Sequence, residues 1–157
     1  MNGMALALAI HVIAVVLWIG GVSFVTTILM PAIRRTRSPQ ERLSAFLKFE
    51  GPFAWQARAT MAAAGLSGLY MIWRGDLWER FGSARFWWMH AMVCVWLIFA
   101  VMLFLLEPFV LHRRLNAAAR TERAGPAFDR MERLHRLLLA LALITVFGAA
   151  GGAHGLF

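Results

Sequence analysis

Five histidines and a single cysteine carry most of the chemistry available to an otherwise apolar chain of 157 residues. His11 interrupts the run LALAIHVIAVVLWIGG, residues 6 to 21, and His90 stands within FWWMHAMVCVW, residues 86 to 96. A polar side chain in hydrocarbon costs free energy unless it finds a partner or binds something. A neutral imidazole can donate a hydrogen bond, move a proton or ligate a metal. Two imidazoles from different helices form the axial donor set of a b-type haem. His90 with Cys94, Met89 and Met92 would instead suit a soft ion such as Cu(I).

The elements that must position these groups follow from the hydropathy pattern. Apolar residues make up 61% of the chain and charged ones 15%, with a mean hydropathy of +0.65. A soluble domain is nearer half apolar. Four runs hold the excess, at about residues 4–30, 53–73, 86–106 and 134–153. Each approaches the ~20 residues that cross a hydrocarbon core as a helix. The pattern predicts an all-α integral membrane protein: a four-helix bundle in up-down order, one domain over 1–157. The first run has no basic residue ahead of it and outlasts a secretory apolar region, so it reads as a retained span. One cysteine excludes an intrachain disulfide.

A net charge of +8 would suit nucleic acid, but its placement points to lipid. Arg34, Arg35, Arg37, Arg42 and Lys48 lie in the first loop, and Arg113, Arg114, Arg120, Arg123, Arg130, Arg133 and Arg136 in the third. The second loop holds Arg74, Arg80 and Arg85. This asymmetry predicts loops one and three in the cytoplasm, both termini extracytoplasmic, and a multi-pass protein of the bacterial inner membrane. The basic residues are expected to meet anionic headgroups. In loop one, Ser38 and Pro39 are set to cap and begin a short helix on the inner surface, with Leu43, Phe46 and Leu47 on its apolar face. In loop three, Gly125-Pro126 should break the chain between two helices.

Depth then brings residues together. His11 lies six residues outward from the centre of span one, and His90 six from the centre of span three, ~9 Å in each case. Small residues occupy the same depth in the other spans, GLSGLY at 65–70 and GAAGGAHG at 148–155. Such residues let membrane helices pack closely, or they open a cavity for a flat ligand, with Gly68 and Gly151 as its walls. Paired with the two histidines, they favour the cavity. Trp18, two turns below His11, would pack in the bundle or against a macrocycle. His154 at the end of span four is an alternative ligand, and His112 and His135 would mark a second site at the cytoplasmic ends. Arg58, alone among basic residues within a span, should pair with Glu50 or Glu107. Trp73, Trp78, Trp87 and Trp88 read as an interfacial aromatic belt.

HVIAVVLWIGGVSF, with Trp seven residues after His and then Gly-Gly, resembles the first span of CopD-like and HemJ-like membrane proteins. The likeness extends more weakly over four spans, basic loops one and three, GLSGLY and TVFGAAGGA. His11, Trp18, Gly20 and Gly21 match closely enough to carry over. The HemJ-like branch implies a b-type haem protein associated with protoporphyrinogen oxidation, and the CopD-like branch implies copper handling. The HemJ-like pattern has Lys in the third span where this chain has His90, which disfavours that oxidase activity and suits bis-histidine haem ligation.

Two expectations result. One is a membrane b-type cytochrome binding haem b through His11 and His90, passing electrons to or from a quinone or another redox protein, with haem-dependent oxidoreductase activity undecided. The other is a copper-binding or copper-transport protein using His11, His90, Cys94 and methionines. A scaffold subunit whose histidines bond one another is the non-redox reading, and a homo-oligomer is compatible with all three. No hydrolase constellation, dinucleotide fingerprint or phosphate loop is present.

Overall fold

The computed structural model describes residues 2–156, with the side chain of His112 outside the described set. Among the described residues the chain is all-helical. Helix α1 (Gly3–Phe24) passes through a π-helical turn (Val25–Leu29) into α2 (Met30–Thr36). Helix α3 is Pro39–Arg74. Two 3-10 turns, Trp78–Gly82 and Ala84–Phe86, lead into α4 (Trp87–Ala100). A long π-helical segment (Val101–Leu111) carries α4 into α5 (His112–Ala119), and α6 is Ala124–Ala153.

Three helices are long and apolar enough to cross a membrane: Gly3–Thr36, Ala84–Leu111 and Ala124–Ala153. Side chains such as Ile13 (61% exposed), Leu66 (70%) and Phe147 (65%) face outward, an apolar surface that suits a bilayer rather than water. The expected fourth span, 53–73, is helical within α3. It falls short in hydropathy because Gln56, Arg58, Thr60, Ser67 and many small residues dilute its apolar content.

Two expected loop features differ from the structure. Ser38 and Pro39 do begin a helix, closed by a capping box in which Glu41 accepts from the Ser38 hydroxyl at 2.9 Å and its N–H at 3.3 Å. That helix does not lie separately on the membrane: it continues through Gly51-Pro52 as α3. Leu43 and Phe46 instead join Met30, Ile33, Phe128 and Met131 in a core at the arginine-rich end. The second difference is at Gly125-Pro126, which lies inside the first turn of α6; the break comes earlier, at residues 120–123. Proline is tolerated there because the first amide donors of a helix have no internal acceptor.

The registers of α1 with α3, and of α3 with α4 and its π-helical extension, are antiparallel. Along α1 and α3, Gly3 meets Tyr70, His11 meets Gly68 and Gly21 meets Phe53. Along α3 and α4, Gly65 meets Trp96 and Arg58 meets Leu103. Along α4 and α6, Trp87 meets Gly148 and Trp88 meets Gly152. A central core joins Trp18, Met61, Phe99, Leu138 and Ala142 from all four long helices.

At the arginine-rich end Glu132 is 2% exposed and takes Arg34 and Arg136 together. Arg34 also reaches Asp129 at 2.5 Å. The buried carboxylate thereby fastens α2 to α6. Glu132→Gln should lower stability by about 1–2 kcal/mol, below the cost of stranding a buried charge because both arginines can turn to water. Thermal unfolding in detergent should show the loss, and an unchanged midpoint would mean that apolar packing alone holds α2.

The capping box also adds a pH dependence. Hydrogen bonds from the Ser38 hydroxyl and amide hold the Glu41 carboxyl below its ordinary pKa. A depressed carboxylate contributes stability above its unfolded pKa that is lost as pH falls through the folded value. Ser38→Ala removes the larger of the two bonds and keeps the amide, so it should reduce that acid-side dependence of α3 unfolding, read from melting points across acid pH.

Candidate functional site

His11 finds its partner on α3, as its position in hydrocarbon requires. Its Nδ1 lies 2.9 Å from Ala64 O and 3.3 Å from Ser67 Oγ. A ring nitrogen facing a carbonyl must carry the proton, so Nδ1–H donates and Nε2 keeps its lone pair. The ring lies over Gly68, where a Cβ would stand 3.2 Å from its Cε1. Glycine at 68 is therefore the seat of the imidazole. Ser67 Oγ turns its own proton to Ala63 O at 2.5 Å.

His90 is held differently. Nε2 lies 2.9 Å from Phe81 O and Nδ1 3.2 Å from Phe86 O, and the ring stands edge-on to Phe81 at 5.4 Å. Its partners belong to the turns before α4 rather than to α1. The depth match can be measured from Trp18 and Phe99, whose rings meet at 4.9 Å. His11 is seven residues before Trp18 and His90 nine before Phe99. The two therefore agree to ~3 Å along the helices.

The small residues at this depth receive tryptophans. Trp96 occupies the notch at Gly65, where an added Cβ would stand 2.6 Å from its ring, and it donates Nε1–H to Met61 O at 2.9 Å. Trp87 and Trp88 fill the notches at Gly148 and Gly152. Trp88 is 6% exposed, so it is a packing residue and not part of an aromatic belt. Gly151 closes α6: its carbonyl accepts from His154 N at 3.1 Å and Leu156 N at 3.0 Å, with Gly155 at φ +76°. This is a Schellman end, and the positive φ explains glycine at 155.

The remaining candidates separate. His154 is exposed at the end of α6, its Nδ1 2.8 Å from Ala150 O. Cys94 is exposed and Met89 buried, so they do not share a side of α4. The expectation at His112 concerns a side chain outside the described residues. Among the described residues no three His, Cys, Asp or Glu side chains gather as a metal site.

At the other end of the central core a cavity of about 70 Å³ lies among Trp18, Glu50, Phe99, Glu107, His135 and Leu138. His135 donates Nδ1–H to Met131 O at 2.9 Å. Trp18 Nε1 is buried with no acceptor among the described residues, an unmade bond that costs about 1–3 kcal/mol. Glu107 pairs with Arg58, one of the two partners expected. Arg58 Nε also donates to Leu103 O at 2.9 Å. That carbonyl sits five residues before Pro108, in a segment with π-helical spacing. Proline has no N–H to give it, and Arg58 supplies the missing donor.

A haem-ligating imidazole offers one nitrogen to iron and anchors the other on a carbonyl. His11 fits this requirement. His90 fits once Nε2 leaves Phe81 O, and the tryptophan-filled notches leave a macrocycle no preformed slot. No protein-family model, curated protein or solved structure matches the chain.

The glycine notches give a direct test of the packing. Gly152→Ala places a methyl against the buried Trp88 and should destabilise by about 1–3 kcal/mol. Gly82→Ala, with nothing within 4 Å, should be close to neutral. Equal melting points for the two variants would show that Trp88 yields freely.

Proposed function

We propose that the protein is a membrane-embedded, b-type cytochrome-like electron carrier of the bacterial inner membrane, with His11 as an axial ligand of haem b. The observation that carries this reading is the anchored imidazole of His11. Its Nδ1 proton is committed to Ala64 O, and Nε2 has no partner among the described residues. Nothing in an apolar helix requires an imidazole merely to reach a neighbouring carbonyl, which Ser or Thr does at smaller cost. The ~3 Å agreement in depth with His90, and the resemblance at His11 and Trp18, support the same reading.

His90 is the second ligand in this proposal. Its bond to Phe81 O is the exchangeable one, because Phe81 belongs to a short 3-10 turn rather than to a spanning helix. Haem would supply one-electron chemistry at its iron. The chain's own contribution is to fix the tautomer of His11, keep water from the ring through α1–α3 packing, and present Trp18 as an aromatic wall. Four crossings in up-down order, with the second half of α3 as the second, put the arginine-rich end in the cytoplasm.

The visible absorption spectrum and metal content of the purified protein decide between cofactors. A Soret band with reducible α and β bands is expected, lost in His11→Ala and in His90→Ala and kept in His135→Ala. Copper without those bands would replace the haem reading by copper handling, and neither signal would sink both. For the orientation, a reporter at the C-terminus should read as extracytoplasmic and one near Arg120 as cytoplasmic. The reverse labelling would invert the proposed topology.

A further inference from the structure

The geometry points to the cavity between the two cores as a binding site for a single hydroxyl group, held between Trp18 and His135. This goes beyond the haem reading and does not depend on it, since the cavity lies on the far side of Trp18 from His11. Two observations specify the chemistry. Trp18 is 5% exposed, lines the cavity, and its Nε1–H lacks an acceptor among the described residues. His135 lines the same cavity with Nδ1–H spent on Met131 O, so Nε2 is left to accept. A ligand that satisfies both must accept at one lone pair and donate one proton, which is what an O–H group does.

The surrounding groups make the site selective. Arg58 holds Glu107 and Leu103 O together, which keeps the guanidinium engaged and leaves the wall between Trp18 and His135 largely apolar. Glu50 also lines the cavity and is itself bonded. The volume also limits the ligand. About 70 Å³ holds around two waters at roughly 30 Å³ each, or one hydroxyl with its adjoining carbons. A porphyrin does not fit. Leu134 lines the cavity and is 39% exposed, so one of its wall residues also reaches the apolar surface. The hydroxyl can therefore come from water or from the leading edge of a lipid-soluble quinol.

The experiment uses the full chain, labelled with ¹⁵N in its indole and imidazole rings, in quinone-free phosphatidylcholine nanodiscs. Trp18→Phe, which keeps an aromatic ring and removes the N–H, assigns the Trp18 signal. Magnetisation transfer from water to the Trp18 N–H in the absence of quinol identifies water as the ligand. A saturable shift of the Trp18 and His135 signals on adding duroquinol identifies the quinol, and Trp18→Phe should then weaken duroquinol binding about tenfold. In either case His135→Phe should move the Trp18 signal, because both side chains hold one group. A Trp18 N–H that sees neither water nor duroquinol, or that ignores His135→Phe, would overturn the proposal.

Discussion

Within the apolar layer, three polar side chains donate to main-chain carbonyls of another long helical segment, and these bonds tie the bundle together. His11 of α1 bonds Ala64 O of α3. Trp96 of α4 bonds Met61 O of α3, and Arg58 of α3 bonds Leu103 O in the segment that follows α4. All three contacts involve α3, the least apolar of the long helices. In a bilayer the hydrophobic effect does not drive helices together, because lipid is as apolar as leucine. Donors aimed at carbonyls, and close shape fit, must do so instead. Helix α3 is thus stitched to its neighbours through two of its carbonyls and through Arg58, one of the residues that lower its hydropathy as a span.

The glycines are the steric counterpart of this stitching. A carbonyl inside a helix is reachable only where the neighbouring side chain is small enough to let a ring approach. Gly68 lets His11 reach Ala64 O, and Gly65 lets Trp96 reach Met61 O. In the Gly20-Gly21 pair, Gly21 admits the Phe53 ring while Gly20 has nothing within 4 Å. Notch and donor work as one unit: enlarging the notch residue would remove a hydrogen bond as well as create a clash.

Much of this was legible in the chain, though not evenly. Helical class, membrane character and the anomaly of His11 follow from hydropathy and from the cost of a polar group in hydrocarbon. The pairing of Arg58 with Glu107 was one of two readings open to a lone basic residue in a span. The identity of the His11 partner was not legible, because backbone carbonyls are present at every position and carry no sequence signal. The same holds for the filling of the glycine notches. GLSGLY and GAAGGA announce missing volume, but only the register decides whether a neighbour's tryptophan or a ligand takes it. The buried Glu132 with Arg34 and Arg136 was hidden among the charges of a loop that reads as solvated. Its signal was the four-residue spacing of Glu132 and Arg136 on one helix face.

Among the described residues, two histidines inside the helical layer have an anchored Nδ1 and an uncommitted Nε2, and they lie on opposite sides of Trp18. His11 and His135 are each fixed on a carbonyl, one across an interface and one within its own helix. Trp18 separates them, edge-on to Phe99, with an indole N–H that has no acceptor among the described residues. An apolar side chain of similar volume would pack there without an orphaned donor, so packing alone gives no reason for tryptophan. His11 and His135 thus each keep Nε2 as an acceptor, one on either side of that ring. Arg58 and Glu107 form an ion pair beside Trp18 that adds no net charge to the core. Most of the fixed positive charge stands at the arginine-rich end, where water and headgroups can solvate it, and the smaller share of Arg74, Arg80 and Arg85 stands at the other.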